Sequence, residues 1–307
     1  ACLLVLIIGF SSPISSAQLE INPECPIATH APISDHTPEQ IHIQLTQNPS
    51  EMLVIWATPG LTDSVVEYGI DIDDPTADKK ITEGTEMCYD HNMVFHSATM
   101  VDLLPGIEYT YRVGDNHPRD WSDTFKFTTQ DLQKDSFEFI AFGDHGMSDE
   151  AQDTANLVRS FDNAELVILS GDISYANGDQ SIWDDHGKKY QTTMANIPWM
   201  MAPGNHENET VYGYGFDAYE TRFEMPSSSG TDFWHSFDYG GVHFVAISTE
   251  HPYYEGSEQL QWIKDDLATA NANRDSVPWI VIYGHKPLYT SHGHESHDDT
   301  MIELRTL

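Results

Sequence analysis

From Pro38 to Thr129 apolar and polar positions alternate in short runs. "IHIQLT" sets Ile41, Ile43 and Leu45 on one side, "EYTYRV" does the same with Tyr109, Tyr111 and Val113, and "TFKFTT" with Phe125 and Phe127. "MLVIWAT" and "SVVEYGI" are dense in β-branched residues. A period of two is the repeat of a strand, and the Gly, Pro and Asp clusters between the runs supply turns. No helical period of useful length interrupts them. The pattern predicts an all-β sandwich over residues 36–130.

A polar stretch, residues 131–136, reads as a linker, and beyond it the rhythm changes. "FEFIAFGD", "ELVILSGD", "PWMMAPGNHE", "VHFVAIST" and "PWIVIYGHKP" each carry an apolar strand. Helical patterns separate them: Ala151, Ala155 and Val158 share one face, Leu260, Ile263 and Leu267 another, and a polar helical stretch runs near Gln180 to Asn196. Strand–helix–strand repetition with apolar strands predicts an α/β domain over residues 137–307, its sheet covered on both faces.

At 307 residues the chain has room for two such cores. Its start, "ACLLVLIIGFSSPISSAQ", holds a short apolar run, Leu3 to Phe10, then Ser15 and Ala17 at the spacing of a signal-peptidase site. Residues 1–17 are therefore read as a secretory signal and 18–35 as an N-terminal extension, which places the protein outside the cell or in a lysosome. The run is too short to span a bilayer comfortably, and no later segment is long enough. Of three cysteines, Cys25 and Cys88 remain after such a signal; in an exported chain they are free to pair or not. Asn208-Glu209-Thr210 is a glycosylation sequon, whereas Asn48-Pro49-Ser50 carries the forbidden proline. The net charge is −35, from 49 acidic against 14 basic residues. The balance argues against nucleic acid as a partner, because its phosphates would be repelled. A small phosphate substrate would need a local source of positive charge, such as a metal.

Four polar clusters end four of the apolar strands: GDHG at 143–146, GDISY at 171–175, GNHE at 204–207 and YGHKP at 283–287. One Gly-Asp after a strand is ordinary turn chemistry. Four together fall where open α/β sheets bind ligands, at the carboxyl ends of strands. Carboxylates and a phenolate are hard oxygen donors, Asn offers a neutral oxygen, and His a borderline nitrogen. A carboxylate can bridge two cations, and a two-metal site suits phosphoryl transfer.

These motifs, in this order, resemble the metallophosphoesterases, and within them the two-domain purple acid phosphatases, most of all the animal ones. The resemblance covers residues 36–307. It implies a fibronectin III-like β-sandwich followed by an α/β metallophosphoesterase domain. "LLPGIEY", 103–109, is similar to the corner of fibronectin type III domains, where a Tyr hydroxyl ties back to the backbone. Two positions depart from ordinary metallophosphoesterases: Gly146 stands where a His is usual, and Tyr175 where an Asp is usual. By resemblance, Asp144, Asp172 and Tyr175 would hold Fe(III), and Asp172, Asn205 and His285 a divalent ion, Fe, Zn or Mn. His206 would lie beside the metals and act on the phosphate or the attacking hydroxide. His294, in "SHGHESH", falls near the family's substrate-binding His pair; the rival reading of His292, His294 and His297 is an exposed His-rich loop. Glu207 is expected to brace its loop.

The resemblance implies an acid phosphatase hydrolysing phosphate monoesters through a metal-bound hydroxide. The family's fifth motif, GHxH, is not found before Leu307; "GHES" at 293–296 has its second His missing and comes too soon. The absent Met start and the end at Leu307 are read as those of a partial sequence. Two rivals stay open: a phosphodiesterase or nucleotide pyrophosphatase on the same scaffold, and a truncated paralogue that binds without turnover.

Overall fold

The computed structural model of the chain describes residues 36–74, 76–89, 93–115, 120–134 and 136–288. The expected signal, the extension with Cys25, and His292, His294 and His297 lie outside them. Eight strands come first: β1 (Glu39–Gln44), β2 (Met52–Thr58), β3 (Val65–Gly69), β4 (Lys80–Glu83), β5 (Thr85–Tyr89), β6 (Met93–Met100), β7 (Glu108–Gly114) and β8 (Phe125–Thr128). They pair antiparallel in two sheets, ordered β1-β2-β6-β5 and β4-β3-β7-β8. Between them lie Ile41, Ile43, Val54, Trp56, Tyr68, Tyr111 and Phe127, all buried. The tyrosine corner is present: the Tyr109 hydroxyl accepts from the Leu104 N–H at 2.9 Å. Cys88 on β5 is disulfide-bonded.

β2 is buried at every position, not at alternate ones. The reason is that its sheet is covered twice. Val54 and Trp56 face the sandwich core, whereas Leu53, Ile55 and Ala57, with Tyr89, Met93 and Phe95, join the core of the second half of the chain. Burying each large apolar side chain contributes about 2 kcal/mol, so the two halves are welded along a face rather than hinged on a linker.

The second half runs β9 (Glu138–Phe142), α1 (Asp149–Ser160), β10 (Ala164–Ser170), α2 (Gln180–Met194), β11 (Trp199–Ala202), α3 (Asp217–Arg222), β12 (His235–Tyr239), β13 (Val242–Ala246), α4 (Glu258–Ala272) and β14 (Trp279–Tyr283). α1 buries Ala151, Ala155 and Val158, the face the periodicity predicts, and Ser148 caps its start by accepting from the Ala151 N–H. The expectation of one sheet covered on both faces needs correction. There are two three-stranded sheets, the parallel β11-β10-β9 and the mixed β12-β13-β14. They pack on each other through aromatic contacts such as Phe139–Phe244, 5.3 Å between ring centres, and Phe137–Tyr239 at 5.0 Å. Trp279 on β14 stays 67% exposed, so this strand is not covered on both sides among the described residues. No helix there is long and apolar enough to cross a membrane.

α4 is clamped to the β12–β13 hairpin by His243. Its Nδ1 lies 2.7 Å from Asp238 Oδ1 and its Nε2 2.9 Å from Asp266 Oδ2, and Ser236 donates to the other Asp266 oxygen at 2.6 Å. Burial pulls the imidazole pKa down, but the two carboxylates outweigh it and raise the value from 6.5 to about 9. A raised folded value means that the clamp stabilises fully below pH 6.5 and is lost as pH climbs through about 9. We expect urea unfolding at pH 6 and pH 10 to differ by on the order of 2 kcal/mol from this group, and His243→Gln to remove that difference. An unchanged difference in the variant would assign the pH effect elsewhere.

Candidate metal centre

The strands β9, β10, β11 and β14 deliver the four motifs to one crest. Asp144 follows β9, Asp172 and Tyr175 follow β10, Asn205 and His206 follow β11, and His285 follows β14. Among the described residues, Asp144, Asp172 and His285 form a group able to hold a metal ion, with one ligand atom of each lying within 4.8 Å of the others. The Tyr175 hydroxyl donates to Asp144 Oδ1 at 2.5 Å. His285 Nε2 lies 3.3 Å from Asp172 Oδ2 and 3.1 Å from Asn205 Oδ1. His206 Nε2 is 3.8 Å from the same Asp172 oxygen. Five of the expected ligands are thus gathered, with His206 beside them; His294 lies outside the described residues.

Close backbone approach makes this convergence possible. A Cβ on Gly171 would sit 2.7 Å from Gly204, and one on Gly204 would sit 2.3 Å from Asp172 Oδ1. Only paired glycines let the second and third motifs touch. The unusual Gly146 has a spatial reason as well. A Cβ there would stand 3.1 Å from the Tyr175 ring, so a side chain at 146 and a ring at 175 compete for one space.

The backbone is held in costly shapes here. Six non-glycine residues among those described have positive φ, and four of them are Asp144, Asp172, Tyr175 and Asn177, at 52–56°. Such clustering of left-handed residues marks a place where the surrounding structure imposes geometry. The imposing group is Glu207. It is fully buried, and its carboxylate accepts from the N–H groups of Asp172 (2.7 Å), Ile173 (2.9 Å) and Gly204 (2.7 Å), tying the second motif to the third. Burial raises its pKa to about 7 even against those three donors.

Charge at the crest follows from burial and pairing. Burial would raise Asp172, but hydrogen bonds from His285 and the His206 N–H outweigh it and hold the carboxyl below its ordinary range. His285 shows the mirror effect: burial lowers it, Asp172 and the Ser170 carbonyl raise it, and it ends near 9. Burial and the Asp144 contact push the Tyr175 phenol far upward. An unmetallated cluster therefore keeps its proton on Tyr175, and a strongly polarising cation is what would displace it. Lys286, next to His285, is spent on Glu250, 3.4 Å away, so it offers no free positive charge to a phosphate.

Sequence reasoning missed three things. His145, inside the first motif, turns inward: its Nδ1 meets His186 Nε2 at 3.1 Å, its Nε2 donates to the Ala151 carbonyl at 3.2 Å, and burial drops its pKa to about 4. It anchors the loop as a neutral ring. Asn177 and Glu209 also bear on the site, and only the Asn-Gly turn at 177–178 hinted at either. A cleft of about 730 Å³ opens at the opposite, amino ends of β9 and β10, lined by Lys126, Lys134, Phe137 and Arg159; it holds none of the four motifs.

Residues 113–306 match the family model described as calcineurin-like phosphoesterase, the class that the paired sheets and their acidic crest define. Residues 38–129 match the purple acid phosphatase N-terminal domain. Purple acid phosphatase 22 of Arabidopsis thaliana is 30% identical over 98% of this chain and 69% of its own length. Acid phosphatase type 7 of Mus musculus is 32% identical over 83% of this chain and 60% of its own. A purple acid phosphatase from yellow lupin (Lupinus luteus) seeds superposes with a TM-score of 0.76 at 22% identity, over 86% of this chain and 54% of that one. The chain belongs to the purple acid phosphatase family of metallophosphoesterases. It spans 60–69% of the length of the two curated relatives named above.

Proposed function

We propose that the protein hydrolyses phosphate monoesters, with Asp144, Asp172 and Tyr175 holding a ferric ion and Asp172, Asn205 and His285 a divalent ion, Fe, Zn or Mn. The observation that carries this reading is the meeting of Asp144, Asp172 and His285 within 4.8 Å, with the Tyr175 phenol on Asp144. The donors fit the ions: hard oxygens and a phenolate for the ferric side, a neutral amide oxygen and an imidazole for the other. When bound, the ions supply charge neutralisation and acidified water for phosphoryl transfer.

The chain's own groups supply the rest. Asp172, buried in the crest with its carboxyl held below its ordinary range, accepts from the His206 N–H and meets His285 Nε2. His206 presents Nε2 toward Asp172 and is placed to hydrogen-bond a phosphate oxygen or to give a proton to the leaving alkoxide. His294 is proposed as a second substrate contact. With Lys286 paired, attraction for the phosphate falls to the site's cations, which suits a chain of net charge −35. We read residues 36–130 as the sandwich and the chain from 137 on as the catalytic part. A secretory signal ending at Ala17 and a glycan on the exposed Asn208 belong to the same reading, and both would show in the mass of the secreted protein.

The test is to load the protein with iron and zinc and follow three readouts: bound metal, visible absorption and turnover. We expect faster release of nitrophenol from p-nitrophenyl phosphate than from its bis-ester, and a visible band that Tyr175→Phe bleaches. A band unchanged by that substitution removes Tyr175 as the ferric ligand. A bis-ester turned over faster moves the reading to a phosphodiesterase. No bound metal and no turnover mean a binding paralogue.

A further inference from the structure

We infer that Cys88 is joined to Cys25, and that this bond turns residues 25–38 into a strap tying together β1 and β5, the two outer strands of one sandwich sheet. The joint between the two halves of the chain then holds fully only in an oxidising medium. The inference shares with the reading above only the signal ending at Ala17, and does not depend on turnover.

Cys88 on β5 is disulfide-bonded. The sequence holds two other cysteines, Cys2 and Cys25, and Cys2 leaves with the signal. Forming the bond takes two electrons and two protons from the thiols, which the disulfide exchange partners of an oxidising compartment accept. The register of the sheet gives the distance the strap must cross. Glu39 lies opposite Ala57, Ala57 opposite Phe95, and Phe95 opposite Met87, the neighbour of Cys88. One row therefore runs from the first residue of β1 to the last turn of β5, three strand spacings or about 14 Å. Residues 26–38 reach about 40 Å when extended, ample for the crossing, and Pro26, Pro32 and Pro38 favour an extended course. Both faces of the sheet are taken, since β2 is buried at every position, Val54 and Trp56 in one core and Leu53, Ile55 and Ala57 in the other. That leaves the strap a path over the strand ends, past Thr58 and Val94, which pair there.

The same two strands grip α2. The Tyr89 hydroxyl, next to Cys88, donates to Gln180 Oε1, in the first residue of α2, at 2.6 Å. At the other edge Lys188 pairs with Glu39 at 2.8 Å, Gln40 Nε2 donates to Asp184 at 3.1 Å, and Gln191 Oε1 accepts from the Ile41 N–H at 3.1 Å. Gln40 sits in a bulge at φ 59°, so close to the helix that a Cβ on Gly187 would stand 2.7 Å from its Oε1. β1, α2, β5 and the strap thus close a ring, polar on one side and covalent on the other. With the bond cut, β1 is an edge strand open to fraying from its first residue.

The test begins with a mass map of the secreted protein under non-reducing conditions. We expect a peptide holding Cys25 linked to one holding Cys88. A free Cys88 overturns the inference, and a Cys2–Cys88 link overturns both it and the signal. Cys25→Ser, Cys88→Ser and the double variant should share one fall in Tm of roughly 3–6 °C, the size expected for opening a loop this long in a chain this long. Dithiothreitol should lower the parent's Tm by the same amount and leave the variants where they are. A linked protein whose Tm ignores reduction removes the strap's role. Amide exchange well below the melt then locates the effect. Reduction should speed exchange in β1, β5 and the start of α2 and leave the β12–β13 hairpin unchanged; equal speeding in both places overturns the tie at the joint. An inactive parent that carries the Cys25–Cys88 link and these responses sinks the phosphatase reading and leaves the strap standing.

Discussion

Asp172→Asn should empty the centre and cut turnover at least about a thousandfold, equivalent to about 4 kcal/mol of transition-state stabilisation. Asp172 is the one residue assigned to both ions. It is buried at 3% exposure, 3.3 Å from His285 Nε2, and accepts from the His206 N–H at 3.0 Å. Asn keeps an oxygen for that N–H and nearly the same volume, so the fold survives. What it lacks is the negative charge that His285 and the His206 N–H stabilise, and a neutral amide is a poor bridge between cations. Metal analysis beside a thermal melt separates the effects. Full metal content in a normally melting Asp172→Asn protein would refute the bridging assignment.

Glu207→Ala should be the most destabilising change at the crest, by about 3–5 kcal/mol, because three buried N–H groups lose their acceptor together. At this chain length that corresponds to a fall of roughly 5–8 °C in Tm. Glu207→Gln is not innocent either: its amide places a donor against N–H donors, so it should fall between alanine and the parent. A Glu207→Ala protein melting within a degree or two of the parent, as measured by calorimetry at neutral pH, would mean that water replaces the carboxylate and that the brace is dispensable.

Much of this was legible in the sequence, for a physical reason. The motifs are short strings at the ends of apolar strands, so β9, β10, β11 and β14 advertise both the strand and what it carries. β7 and β8 alternate cleanly because one face of their sheet is wet. Strand β6 went unseen because His96 and Ser97 interrupt it. The structure satisfies the histidine internally, flat on Trp56 at 5.1 Å and within 2.8 Å of both Thr58 and Ser64 hydroxyls. β4 and β5 are too short and too exposed to show a pattern. β12 opens with His235, whose ring is paired with the Tyr283 hydroxyl at 3.0 Å. The buried polar chain from the Tyr89 hydroxyl through Gln180 and Glu209 to the Gly178 N–H is illegible for another reason. Its links span 91, 29 and 31 residues, and each member alone looks like an ordinary strand, helix-start or sequon residue. The exchange of Gly146 for His and Tyr175 for Asp could be noticed in the sequence, but its coupling is visible only where the ring fills the space a Cβ would need.

The left-handed backbone at Asp144, Asp172, Tyr175 and Asn177 also bears on how the gene ages. Each residue costs on the order of 1 kcal/mol or more relative to glycine, together about 4 kcal/mol, out of a net stability of about 5–15 kcal/mol. Mutation to glycine at any of the four relieves the cost at once. Glycine would also remove what the side chains hold, since Asp144 accepts from the Tyr175 hydroxyl, Asp172 from the His206 N–H, and Asn177 Oδ1 meets His206 Nδ1. The four torsions therefore mark a backbone that gives up stability to aim side chains at the crest, a cost glycine would remove only together with the groups themselves.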